Sequence, residues 1–156
     1  MNRLWLWMLG AVAVGAMAVA CTTAAPQMPA NEAIAARQQL MKEQGAAMRA
    51  IQDKMKAGQA QAIGPETQKL IATAKRITVL FPAGSLDPKV SRAKPQIWQD
   101  WQKFGGFAKT LEQKATQLSV VAAAGPDTAV GPVVADLGKT TCGACHDAFR
   151  GPEIKK

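Results

Sequence analysis

Near the C-terminus two cysteines and a histidine stand together as Cys142-Gly143-Ala144-Cys145-His146, the C-x-x-C-H spacing that attaches a c-type haem. Each thiol can add to one vinyl group of a porphyrin. In a helix, spacings of three and four set Cys142, Cys145 and His146 along one side, so that the imidazole reaches the iron. The histidine is the only one in the chain, and the pair holds two of its three cysteines. Three other uses compete. Structural zinc normally needs four N or S ligands, and the chain has no second pair, because Cys21 stands apart at the end of an apolar leader. A thioredoxin-like C-x-x-C belongs in a βαβ setting. A Cys142–Cys145 disulfide gives His146 no role. The expected cofactor is one covalent haem c, with Cys142 and Cys145 as attachment points and His146 as an iron ligand.

Four helical segments are available to position these groups. Ile34, Met41, Met48 and Met55 recur every seven residues, with Leu40, Ala47 and Ile51 beside them, and predict a helix over 31–57 with Asn31 as its N-cap. Gly64-Pro65 opens a second helix, whose stripe Leu70, Ala74, Ile77 and Phe81 runs until Pro82. Two prolines and a glycine make 82–94 a long loop. From Pro95, the residues Ile97, Trp101, Phe104, Ala108, Leu111, Ala115 and Leu118 step by four and three. Gly105-Gly106 inside that stripe leaves room for close approach of a backbone or a ring. Trp98 and Trp101 either line a pocket or pack between helices. The last helix starts at Asp127 or after Gly131-Pro132 and ends near Arg150. The frequent Ala, Leu, Gln, Lys and Met, with no Tyr and four Phe, suit helices better than strands. The fold class is all-α, an antiparallel four-helix bundle, which commonly holds a cofactor between facing helices.

The first twenty residues have Arg3, an apolar run over 4–20, and Ala18-Val19-Ala20 before Cys21. This pattern is a signal peptide and implies export to the periplasm. Lipidation of Cys21 is an open alternative to plain cleavage, and would tie the protein to a membrane. The expected organisation is a leader over 1–20, a linker over 21–30, the cytochrome domain over 31–151 and a tail over 152–156. The net charge of +8 suits an acidic redox partner. The basic residues are scattered and not interleaved with aromatics, which argues against nucleic acid.

The sequence resembles the class II cytochromes c, the cytochrome c prime family. The resemblance runs over 31–150 and includes Arg37-Gln38-Gln39-Leu40-Met41-Lys42, Leu80-Phe81-Pro82, Lys94-Pro95-Gln96-Ile97-Trp98, Gly138-Lys139 and His146-Asp147-Ala148-Phe149-Arg150. Pro132 departs from the family pattern. The resemblance implies that function divides on Met41. In the low-spin c-556 type branch a Met at this position binds the iron, giving a His/Met electron carrier whose potential is raised by the thioether. In typical members the matching residue only crowds the distal face, and five-coordinate iron takes up nitric oxide or carbon monoxide. The reading adopted is the low-spin periplasmic electron carrier, with His146 and Met41 on the iron, and gas binding is its alternative. Met41 also fits a Met stripe that fills core gaps. The resemblance places Arg150 near the proximal face, and Arg37, one turn before Met41, within reach of a propionate. For each of these arginines the competing reading is a solvated helix-face charge. No nucleophile or acid–base pair is positioned, so no enzyme is expected. A homodimer through the first two helices is a further implication of the resemblance.

Overall fold

The computed structural model describes residues 28–154. The leader, Cys21 and most of the linker lie outside the described residues, and with them the readings of export and lipidation. The first apolar stripe forms α1, Ala30–Lys56, and buries Ala33, Ile34, Leu40, Ala47 and Ile51. Met41, Met48 and Met55 pack on that core from its margin, each partly buried. The helix begins one residue before Asn31, with Pro29 at the cap position and no side-chain cap.

The second helix is shorter than its stripe predicts. α2 spans Gly64–Ala74, with Pro at its start, and the chain then tightens through a 3-10 turn at Thr78–Leu80. Thr73 turns its hydroxyl back onto the carbonyls of Lys69 and Leu70, and the β-branched run Ile77-Thr78-Val79 follows, which weakens α-helical propagation. The tighter path still delivers Ile77 and Phe81 to the core.

The third stripe is cut at Asp100. A short α3, Gln96–Gln99, leads into α4, Trp101–Ala124. The Asp100 carboxylate caps α4 by accepting the Lys103 N–H at 3.2 Å. Asp100→Ala should lower stability by about 1 kcal/mol, the usual value of such a cap, read by denaturant unfolding. Of the stripe, Ile97, Phe104, Ala108, Leu111, Ala115 and Leu118 are buried, whereas Trp101 is 43% exposed. Trp98 packs and also donates its indole N–H to the carbonyls of Phe81 and Pro82. No ring or backbone closes on the glycine pair: a Cβ at Gly105 would meet only a Thr78 methyl at 3.8 Å, and at Gly106 nothing within 4 Å.

The fourth rod is one continuous path of three pieces. α5, Asp127–Leu137, carries Pro132 inside it, so the earlier of the two expected starts is the right one. A π-helical turn, Gly138–Gly143, joins it to α6, Ala144–Phe149. Lys114 of α4 holds this joint by donating to the Asp136 carboxylate and the Thr140 hydroxyl. The all-α four-helix bundle is as expected: α1 packs on α2, α2 on α4 and α4 on α5. Among the described residues no helix is long and apolar enough to cross a membrane.

Candidate functional site

A cavity of about 580 Å³ opens between α1 on one side and α4 with α6 on the other, within the range of ~300–1,000 Å³ usual for cofactor and ligand sites. The last rod builds one wall. Thr141, Cys145 and Phe149 form one row of residues spaced by four, and Cys142, His146 and Arg150 the next, all lining the cavity. The π turn helps to aim them. Its wider ring takes about one more residue per turn, and a Cβ at Gly143 would meet the Gly138 carbonyl at 3.4 Å, an ordinary contact.

Both thiols are free and half-buried. Burial pushes Cys142 up, and pushes Cys145 up to about 11 with Cys142 beside it adding to the effect. The His146 imidazole is held below its ordinary value, first by burial and then by the positive charges of Arg150 and Arg92, against a smaller opposing pull from Asp147. It is therefore neutral near pH 7, the form with a nitrogen lone pair to give a metal. Among the described residues no three His, Cys, Asp or Glu side chains converge as a metal set.

Much of the remaining lining is apolar. Met41, Ile77, Phe81, Phe104, Phe107 and Leu111 face the cavity. Among the described residues one buried hydroxyl, Thr141 Oγ1, has no hydrogen-bond partner, as expected of a polar atom whose partner belongs to a bound group. Two thiols spaced for two vinyl groups, one neutral imidazole and a largely apolar cavity fit a covalently attached porphyrin. Cys142 and Cys145 would hold it, and His146 would ligate its iron.

The two arginines fare differently. Arg37 reaches the cavity wall, yet it is 3% exposed. Its guanidinium donates to Ser85 Oγ at 3.0 Å, to the Ser85 carbonyl at 2.8 Å and to Ser91 Oγ at 2.7 Å, and lies 4.7 Å from the Phe81 ring centroid. It is not a solvated charge; it pins the loop 82–94 across the site. Arg150 is exposed at the cavity rim, one turn after His146.

The loop is stitched at its far end to the chain that leaves α6. Lys94 N–H donates to the Phe149 carbonyl, Gly151 N–H to the Arg92 carbonyl at 2.6 Å, and Arg92 Nε to the Gly151 carbonyl at 2.9 Å. Sequence reading missed Ser85, Ser91 and Arg92, which lie in irregular chain without a period to betray them. Thr141 and Gln44 were within reach of it, one step of four before Cys145 and one of three after Met41.

Comparison with known proteins agrees with this geometry. The family model described as "Cytochrome C'" matches residues 32–150. A cytochrome c' from Rhodospirillum rubrum is 34% identical over 70 residues, 45% of this chain and 47% of that protein; the chain thus spans about half the length of the curated relative it matches. The crystal structure of cytochrome c' from Thermochromatium tepidum is 26% identical with a TM-score of 0.72, over 81% of this chain and 100% of that one. A second structure, a cytochrome c' with an unusual ligand-controlled dimer dissociation, is 24% identical with a TM-score of 0.73 over the same shares and is similar in fold.

These findings overturn the reading as a low-spin c-556 type electron carrier with Met41 and His146 both on the iron. Met41 is one of the partly buried side chains packed against the core, and it lines the cavity. With its model matched over 32–150 and the Cys142–His146 site built as described, the chain belongs to the cytochrome c' family, which binds covalently attached haem c.

Proposed function

We propose that this protein is a periplasmic gas-binding cytochrome c' that holds nitric oxide or carbon monoxide at five-coordinate haem iron, with His146 as the only protein ligand. The observation that carries the reading is the family match over 32–150; the apolar wall around Met41 supports it. The haem, when bound, supplies an iron centre with one open coordination position. Cys142 and Cys145 fix its orientation through two thioether bonds. His146, neutral at pH 7, presents its lone pair from α6. Met41, Phe81 and Leu111 line the cavity with apolar side chains and would keep water and polar competitors from the bound group. The signal peptide read from 1–20 supports the location. The proposal includes a homodimer through the first two helices, as the resemblance implies and as the ligand-controlled dimer of a relative supports. It is a binding protein and not an enzyme.

Optical spectra of the ferric and ferrous holoprotein test the reading. The expected result is a high-spin spectrum without a sulfur-to-iron charge-transfer band, shifted when carbon monoxide is added and still high-spin in Met41→Ala. Sharp low-spin bands that ignore carbon monoxide would sink it.

A further inference from the structure

α1 gives the cavity one helical stripe, Arg37, Met41 and Gln44, spaced by four and three. Arg37 is committed to Ser85 and Ser91, and Met41 offers only a thioether. Gln44 is different. It is half-buried, and its Nε2 donates to Thr73 Oγ1 on α2 at 3.2 Å. Thr73 is 3% exposed and directs its own hydroxyl proton back into α2, toward the carbonyls of Lys69 at 2.8 Å and Leu70 at 3.1 Å. A hydroxyl has a single proton, and with that proton given to α2, Thr73 accepts from Gln44. The carboxamide then has its NH2 group toward α2, and a flip would cost Thr73 its bond to the α2 carbonyls. One N–H of that NH2 is used. The other has no protein partner among the described residues, on a side chain that lines the cavity one turn from Met41.

We infer that Gln44 is the hydrogen-bond donor of the gas-binding face, offering its second Nε2–H to the outer atom of a diatomic held opposite His146. The inference rests on the gas-binding reading above and adds a specificity-determining residue to it. Ile77, Phe81 and Leu111 line the same cavity, so a donor there works in apolar surroundings, where a hydrogen bond is stronger than in water. It favours ligands that gather negative charge on the outer atom over those that do not. The hydroxyl of Thr73 is the positioning group: it touches no ligand and fixes which end of the carboxamide is presented.

The test is the ferrous carbon monoxide complex of the full holoprotein, compared in wild type, Gln44→Leu and Gln44→Met; the second variant covers a folding failure of the first. A positive N–H end at the oxygen draws iron electrons into the antibonding orbital of the ligand and weakens the C–O bond. Its loss should move the infrared C–O stretch to higher wavenumber and speed dissociation by about 2- to 10-fold, the range for one hydrogen bond. Unchanged stretch and rate in a variant that binds carbon monoxide overturn the role of Gln44. A wild-type holoprotein that takes up no carbon monoxide overturns the gas-binding reading instead.

Discussion

A protein carrying Cys142→Ala and Cys145→Ala together is expected to give up all of its haem when denatured and extracted with acidified organic solvent. The wild-type chain keeps its colour under the same treatment. The reason lies in which bonds survive unfolding. The link from His146 to iron depends on a folded, neutral imidazole, and acid protonates it. Only the two thioether bonds are indifferent to fold and pH, and Cys142 and Cys145 are the two thiols that line the cavity. Each single variant should retain the haem through the remaining bond, with the α band of its reduced pyridine complex moved by one unreacted vinyl group. Colour that stays with the double variant after extraction would show that attachment runs through another residue.

Arg37→Ala should be the most damaging of the single substitutions proposed here, at about 2–4 kcal/mol in denaturant unfolding of the holoprotein. The substitution removes three charge-assisted hydrogen bonds at once, together with the guanidinium over Phe81. Ser85 keeps its bond to the Pro82 carbonyl and Ser91 its bond from the Ala93 N–H, but the Ser85 carbonyl loses the guanidinium at a buried position. Because no carboxylate partners Arg37 among the described residues, the change strands no opposite charge, which keeps the loss below that of a broken buried ion pair. Arg37→Met, close in length and without charge, should recover the packing part of the loss. Faster amide exchange confined to 82–94 in Arg37→Ala would show that the loop, and not α1, has come loose. Equal stability of wild type and Arg37→Ala would mean that the guanidinium does not hold the loop.

What the sequence makes legible here follows a physical line. The stripe from Phe104 to Leu118 and the Leu40–Ile51 face are read correctly because burial is periodic wherever a helix packs, whereas Trp101, in step with that stripe, is exposed. The Cys142–His146 group is legible because attachment chemistry demands a fixed spacing. Met41 is the counter-example: a methionine that binds iron and one that fills a core gap occupy the same helical position, so the stripe cannot tell them apart. The early end of α2 and the break at Asp100 follow from side chains, Thr73 and Asp100, that compete locally for backbone groups, an effect a hydrophobic period does not register. Pro132 reads as a helix breaker, yet α5 continues through it, because packing on α4 outweighs one missing donor. The role of Arg37 is set by Ser85 and Ser91, forty-eight and fifty-four residues away, a distance no local pattern spans.

The stitch between Arg92 and Gly151 joins residues 59 apart in sequence, whereas each rod is coiled by contacts a few residues long. With the bundle packed the two residues are already held close, so the latch itself rests on a handful of hydrogen bonds, some of them solvent-facing. Contacts of this kind are the first to open in a folded protein. Opening of this latch is therefore expected to cost less than unfolding of the bundle, and the Gly151 amide should exchange faster than those inside α4. Gly151 sets the ease of that motion: a Cβ there would press to 3.3 Å of the Arg92 carbonyl, and the latch closes flush because the atom is missing.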